Sequence, residues 1–262
     1  MNLIILNYHG LESRAGQYEW RDEEKPYVLD AGKFGLQLDE LSRRGFESLS
    51  PAGLKAWSEG AGPEKAVLMT FDDGLTCHGE LAAPLLERKG MKAIFFIPVE
   101  LVGKKGHMGW DELKILQRHG FEIGSHGLRH IALTGLPEAQ IKEEFEKSKK
   151  ILEDKLGMPV KSFSVPRGFF NDAMRHTARL AGYDYLFTSS FDTNPKPCDF
   201  FALKRMAVKR STSEKQFSDM IEDHLGLRRT WEKMKEQVRG SMPPAFYDAL
   251  AAVKRKAGRS SC

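Results

Sequence analysis

Seven short β-rich runs alternate along this chain with segments whose apolar residues recur at helical spacing, and this alternation restricts the fold more than any other feature. The runs span residues 3–7, 66–71, 93–98, 121–124, 162–165, 183–188 and 201–208. Helical patterns cover 31–44, 79–89, 111–119, 137–156 and 173–181. They stop at Gly45, Gly90, Gly120, Gly157 and Gly182, where a left-handed residue can end a helix without steric cost. Strand-helix alternation predicts an α/β fold with a parallel sheet. Seven such units would close into a barrel one strand short of the common eight; an open, doubly wound sheet is the alternative. No Gly-x-Gly-x-x-Gly follows a strand and no phosphate loop occurs, so no nucleotide cofactor is expected.

The 262 residues lie between one and two domains at about 150 residues each. We expect a barrel over residues 1–210 and a basic, helical C-terminal extension over 211–262, packed on the barrel and broken at Pro243-Pro244. From Lys204 onward 14 basic residues face 7 acidic ones, giving this end +7 and leaving −3 for the first 203 residues. The overall charge of +4 is too small to make nucleic acid an expected partner. Within the extension, Phe246, Leu250 and Val253 stand beside Lys254, Arg255 and Lys256, a pattern suited to peripheral contact with an anionic inner-membrane face. A solvated helix, or one packed on the barrel, is the competing reading.

The longest apolar run, residues 93–99, is strand length, far from the roughly 20 residues of a membrane span. The first nine residues lack a basic start and a cleavage site, so a cytoplasmic location is expected. Cys77, Cys198 and Cys262 are odd in number and far apart, which argues against a disulfide framework and against a Cys-x-x-Cys metal site.

In a parallel barrel the active site lies at the carboxyl ends of the strands, so the residues just after each run matter most. They are Tyr8-His9-Gly10, Asp72-Asp73-Gly74, Ser125-His126 followed by His130, and Pro166-Arg167-Gly168. Adjacent carboxylates at a buried strand end repel unless they share a cation or a proton; a helix cap with an acidic first turn is the plainer reading. His126 and His130, four apart, can face one ion from a helical turn or a tight loop, or can be unrelated. Two imidazoles and a carboxylate from neighbouring strand ends together have the composition of an open catalytic metal site.

These residues resemble the polysaccharide deacetylases of the NodB-homology group, carbohydrate esterase family four. Thr70-Phe-Asp-Asp-Gly74 is similar to the first motif of that family. Ser125-His-Gly-Leu-Arg-His130 is similar to the second, His-Ser/Thr-x-x-His, with Gly127 in place of the hydroxyl residue. The likeness runs from about Lys65 to Pro166, and Asn7-Tyr-His-Gly10 is similar to the start of exopolysaccharide-associated members. The resemblance implies a distorted seven-stranded (β/α) barrel of the NodB type. It implies that Asp73, His126 and His130 bind a divalent metal, zinc first, with Co2+, Ni2+ or Mn2+ as alternatives. Asp72 would be the general base, acting on water whose pKa the ion has lowered. The substrate implied is an N-acetylated amino-sugar oligomer or a polysaccharide precursor, cytoplasmic or lipid-linked.

Two departures follow. The third motif, Arg-x-Pro-Tyr, is present only as Ser164-Val-Pro-Arg167, so the Arg167 N–H is assigned to the oxyanion and its side chain to the substrate. The late Leu-x-x-His motif has no His in 201–208, so His9 is taken as the proton donor, against a purely structural role. Arg205 reads as a pocket charge or salt-bridge partner. Tyr8 and Trp110 could stack on sugar or simply pack. The competing functions are a metal-dependent amidase acting on a non-carbohydrate amide or imide, and an inactive sugar-binding homologue.

Overall fold

A computed structural model describes residues 1–168 and 170–240. The strands are β1 (Ile4–Tyr8), β2 (Leu11–Glu12), β3 (Leu29–Asp30), β4 (Glu47–Ser48), β5 (Ala66–Phe71), β6 (Ala93–Ile97), β7 (Glu122–Ser125), β8 (Ser162–Ser164), β9 (Tyr185–Phe187) and β10 (Met206–Ala207). Seven of them form one curled parallel sheet in the order β10-β1-β5-β6-β7-β8-β9, with β4 also paired to β5. The segment before β10 joins the two edges, because Leu203 bridges to Phe187 of β9 while Met206 pairs with Leu6 of β1. The result is the distorted barrel expected from the seven runs, not an open doubly wound sheet.

The helices are α1 (Ala31–Arg43), α2 (Pro51–Ser58), α3 (Ala83–Arg88), α4 (Trp110–Arg118), α5 (Glu138–Leu156), α6 (Asp172–Leu180), α7 (Glu214–Ile221) and α8 (Gly226–Gly240). The five glycines expected to end helices all have positive φ. Two features differ from the periodicity. The start of the 79–89 segment is a π-turn, His78–Ala82, ahead of α3. Helix α2, which begins with Pro at its first turn, lies in a segment that carried no helical expectation.

Alternation along the strands sorts the core into two clusters. Ile4, Leu6, Tyr8, Val67, Met69, Phe71 and Phe95 face outward and pack against helix residues such as Phe34, Leu38 and Phe145. Leu3, Ile5, Leu68, Ile94, Phe96, Phe187 and Leu203, contributed by strands around the ring, form the second cluster with Leu54 and Trp57 of α2. This cluster fills the barrel interior. Gly124 is required there, since a Cβ would lie 2.5 Å from the Phe96 ring. Further along the same inward stripes the side chains turn polar, from Ile5 to Asn7, Leu68 to Thr70 and Asp72, and Leu203 to Arg205, with Ser164 of β8 beside them. All these polar residues are buried.

Beyond β10 the described chain continues into α7 and α8. Helix α7 buries Phe217, Met220 and Ile221 and is tied to α1 through Arg44, which bonds Glu222 and Ser218. Arg229 of α8 pairs with Asp192 and Asp223. The break at Pro243-Pro244 and the pattern of Phe246, Leu250, Val253 and Lys254 to Lys256 lie outside the described residues. No described helix is long and apolar enough to cross a membrane.

At the amino end of β7, burial raises the Glu122 carboxyl to about 7, although Ser162 Oγ donates a hydrogen bond to it at 2.6 Å. Its folded pKa exceeds the unfolded value, so the folded state binds the extra proton between roughly pH 4.5 and 7 and loses stability as pH rises through that window. Glu122→Gln should therefore gain roughly 1–3 kcal/mol on wild type between pH 5 and pH 8, read from urea unfolding at both pH values.

Candidate metal and catalytic site

The two adjacent carboxylates after β5 are separated by the backbone. Asp72 N–H bonds the Tyr8 carbonyl at 3.0 Å, extending the β1–β5 ladder by one residue, so its side chain continues the inward stripe. Asp73 then adopts φ 79° and Gly74 φ 61°. This left-handed pair turns the chain sharply and sends the second carboxylate to the rim instead of the interior.

At the rim Asp73 meets two imidazoles. Its Oδ1 lies 3.1 Å from His130 Nε2 and 3.5 Å from His126 Nε2. One ligand atom from each of the three residues falls within 4.8 Å of the others. His126 follows β7 directly, with its N–H on the Ile97 carbonyl at 2.9 Å. Its Nδ1 donates to the Ser164 carbonyl at 2.9 Å, which leaves Nε2 with a lone pair facing Asp73. His130 sits at the end of a loop, not on a helical turn, and has φ 57°. Burial works to raise the Asp73 pKa, but the imidazoles of His126 and His130 beside it hold it well below the usual carboxylate range. Burial lowers His130 while the bond to Asp73 more than restores it, so its pKa is raised. One carboxylate and two imidazoles, one with its tautomer set by a carbonyl, form a donor set that fits a divalent cation and leaves further coordination positions open.

Asp72 faces the interior and is saturated. Arg205 reaches it with both arms, Nη1 to Oδ1 at 2.8 Å and Nη2 to Oδ2 at 2.9 Å. Asn7 Nδ2 donates to Oδ2 and Ser164 Oγ to Oδ1, both at 3.1 Å, and Arg205 Nη2 also bonds Ser164 Oγ at 2.8 Å. Burial would raise this carboxyl; the Arg205 charge overcomes it and holds Asp72 far below the usual range. Arg205 is thus the salt-bridge partner suggested by its position in the last strand run. It also stands beside Ser164, the residue found where the third motif has Arg.

His9 and Arg167 lie around this centre. The His9 ring is 5.0 Å from that of Tyr27, and its Nδ1 is buried without a hydrogen-bond partner. Burial lowers its pKa, opposed by the charges of Asp73 and Asp72, which places the ring in the field of both carboxylates. His78 lies beneath it, fully buried and lowered to about 4, with Nε2 donating to the His9 carbonyl at 2.8 Å. Arg167 is exposed, in a turn after β8, at φ 59°. Of the two aromatic faces offered to sugar, Tyr8 is a core residue stacked on Phe71 with its hydroxyl on Gln37, so it presents no free face. Trp110 is partly buried against the outer cluster. Sequence reading assigned no role to Asn7 or Ser164, although both stand in motifs, and none to His78. The first two had a usable signal, as polar residues on inward positions of otherwise apolar strands.

The sequence pattern of a family described as polysaccharide deacetylase matches residues 59–186. The polysaccharide-deacetylase-like protein YxkH of Bacillus subtilis (strain 168) is 31% identical over 222 residues, covering 84% of this chain and 76% of that protein. A peptidoglycan-N-acetylglucosamine deacetylase of Bacillus cereus is 28% identical over 144 residues, 55% of this chain and 65% of the relative. Among solved structures, the Streptococcus pyogenes deacetylase PplD, in complex with acetate, superposes with a TM-score of 0.75 at 21% identity. That superposition covers 84% of this chain and 98% of PplD, and at this identity it shows a shared fold.

Removing Arg205 would leave Asp72 ionised and buried without its countercharge. Arg205→Met should cost about 3–5 kcal/mol in denaturant unfolding. The double variant Asp72→Asn/Arg205→Met should recover part of that loss, because it removes both charges. Equal loss in the single and double variants would contradict the pairing.

Proposed function

The chain belongs to the polysaccharide deacetylase family, and from that premise we propose that it removes N-acetyl groups from amino sugars in a polysaccharide or its precursor. The reading rests on one juxtaposition. A three-residue metal-ligating cluster lies one residue from a carboxylate that Arg205 keeps ionised. The amino-sugar substrate is supported by the Bacillus cereus relative, whose name specifies N-acetylglucosamine in peptidoglycan.

In this proposal Asp73, His126 and His130 hold the ion, with zinc the first choice for two imidazoles and a carboxylate. When bound, a divalent cation polarises the acetyl carbonyl and lowers the pKa of nearby water. Asp72 serves as the base. Its four hydrogen bonds fix its orientation, and its depressed pKa keeps it ionised across the working range. Asp72 takes the proton released from water, and His9, in the field of both carboxylates, delivers a proton to the departing amine and is then reprotonated. Arg167 supplies its N–H to the oxyanion and its exposed side chain to the sugar chain. Water adds to the acetyl carbon, the C–N bond breaks, and acetate and a free amine leave. An inactive sugar-binding protein fits less well, since holding a metal requires Asp73 and the histidines but no saturated, ionised Asp72 beside them.

The test is acetate release from N-acetylglucosamine oligomers by metal-stripped protein and by protein reloaded with zinc or cobalt. Activity should appear only with metal. Asp72→Asn should lower kcat about 10²- to 10⁴-fold at every pH, without shifting the pH profile. His9→Gln should lower kcat by at least tenfold with metal stoichiometry unchanged. Release unaffected by Asp72→Asn would remove the base assignment.

A further inference from the structure

The loop that carries His130 is held from behind by a carboxylate outside the motifs. Glu144 of α5 is fully buried, on a helix face shared with Ile141, Phe145, Ser148, Leu152 and Leu156. A lone buried anion there would be strongly unfavourable. It is satisfied entirely by the loop between the two histidines. Oε2 accepts the Leu128 N–H at 2.6 Å and the Arg129 N–H at 3.2 Å, and Oε1 accepts Arg129 Nε at 2.6 Å. From the other side, Val99 and Glu100 donate their N–H groups to the Gly127 and Leu128 carbonyls at 3.1 and 2.9 Å. Two consecutive loop amides are thereby turned toward α5, and the next residue is His130 in its left-handed conformation.

The same contact adds to what the backbone already asks of Gly127. At this position φ is 78°, and a Cβ would stand 2.9 Å from Glu144 Oε2. A hydroxyl residue, which the second motif would otherwise carry here, cannot share the space with this carboxylate as it is placed. Gly127 and Glu144 are thus two halves of one arrangement.

We infer that Glu144 is a positioning residue that sets His130 Nε2 opposite Asp73 and thereby tunes the affinity of the cluster for its metal. This rests on the proposed assignment of Asp73, His126 and His130 as ligands. Glu144→Gln keeps the side-chain volume but replaces one acceptor oxygen with a donor NH2 that faces loop donors. Gly127→Ala presses on the same carboxylate from the loop. Metal dissociation constants are measured by competition with a chromophoric chelator, the Co2+ absorption spectrum reports ligand geometry, and the melting temperature of the metal-free protein is followed in parallel. Both variants should weaken binding about 10- to 100-fold, the usual range for groups that orient a ligand, and should alter the Co2+ spectrum.

His130→Ala is the control. If it binds metal like wild type, the ligand assignment fails. If it loses affinity while Glu144→Gln and Gly127→Ala bind within twofold of wild type, with only a lower melting temperature, the positioning role is overturned. Should Glu144→Gln not fold, Gly127→Ala, which deletes no hydrogen-bonding group, decides between these outcomes.

Discussion

The ion pair between Asp72 and Arg205 governs the carboxyl end of the barrel, because neither residue can be buried there without the other. Asp72 is 3% exposed and Arg205 1%, and taking either charge out of water alone costs several kcal/mol. Their union requires β5 and β10 to flank β1, and Asn7 of that middle strand adds its own bond to the carboxylate. Ser164, from β8 across the ring, closes the network. A register slip of one residue in any of these strands would turn its polar side chain outward and leave an unsatisfied group inside. The network therefore constrains register as well as charge, and it does so just where the last strand must meet the first.

Around that fixed centre the backbone takes conformations that most side chains avoid. Asp73, His130 and Arg167 all have positive φ, and all three lie in loops at the rim. Such residues cost of order 1–3 kcal/mol each and persist only where their surroundings hold them. For Asp73 the support is the ladder bond of Asp72 before it and Gly74 after it. For His130 it is the Glu144 carboxylate and the backbone of residues 99–100. The side chains brought together at the rim depend on these supports as much as on their own identity.

What could be read from the sequence divides along the line between local and long-range causes. The seven strands and the Gly-ended helices follow from alternation, helical spacing and φ preference, each contained within a few residues. Asp72, Asp73, His126 and His130 stood out because acidic and imidazole groups directly after apolar runs are conspicuous. The coupling of Arg205 to Asp72 spans 133 residues, and a lone Arg in a strand run has no spacing that reveals its partner. Left-handed geometry at His130 and Arg167 was invisible because neither residue type signals it. His78 falls outside every pattern read from the sequence, and its place beneath the His9 carbonyl is set by the fold.

The adjacent carboxylates end up chemically distinct for an electrostatic reason. Arg205 supplies Asp72 with a full countercharge inside the barrel, so that carboxylate needs no further cation. Asp73, one residue on, has only two imidazoles beside it, at 3.1 and 3.5 Å. The uncompensated negative charge of the site therefore resides on Asp73, at the rim, beside the two nitrogen donors. Exchanging the two environments would bury an unpaired anion in the apolar interior and neutralise the one at the surface, leaving no donor set for a cation. The order of environments, interior carboxylate first and rim carboxylate second, is thus imposed by the direction in which β5 leaves the barrel.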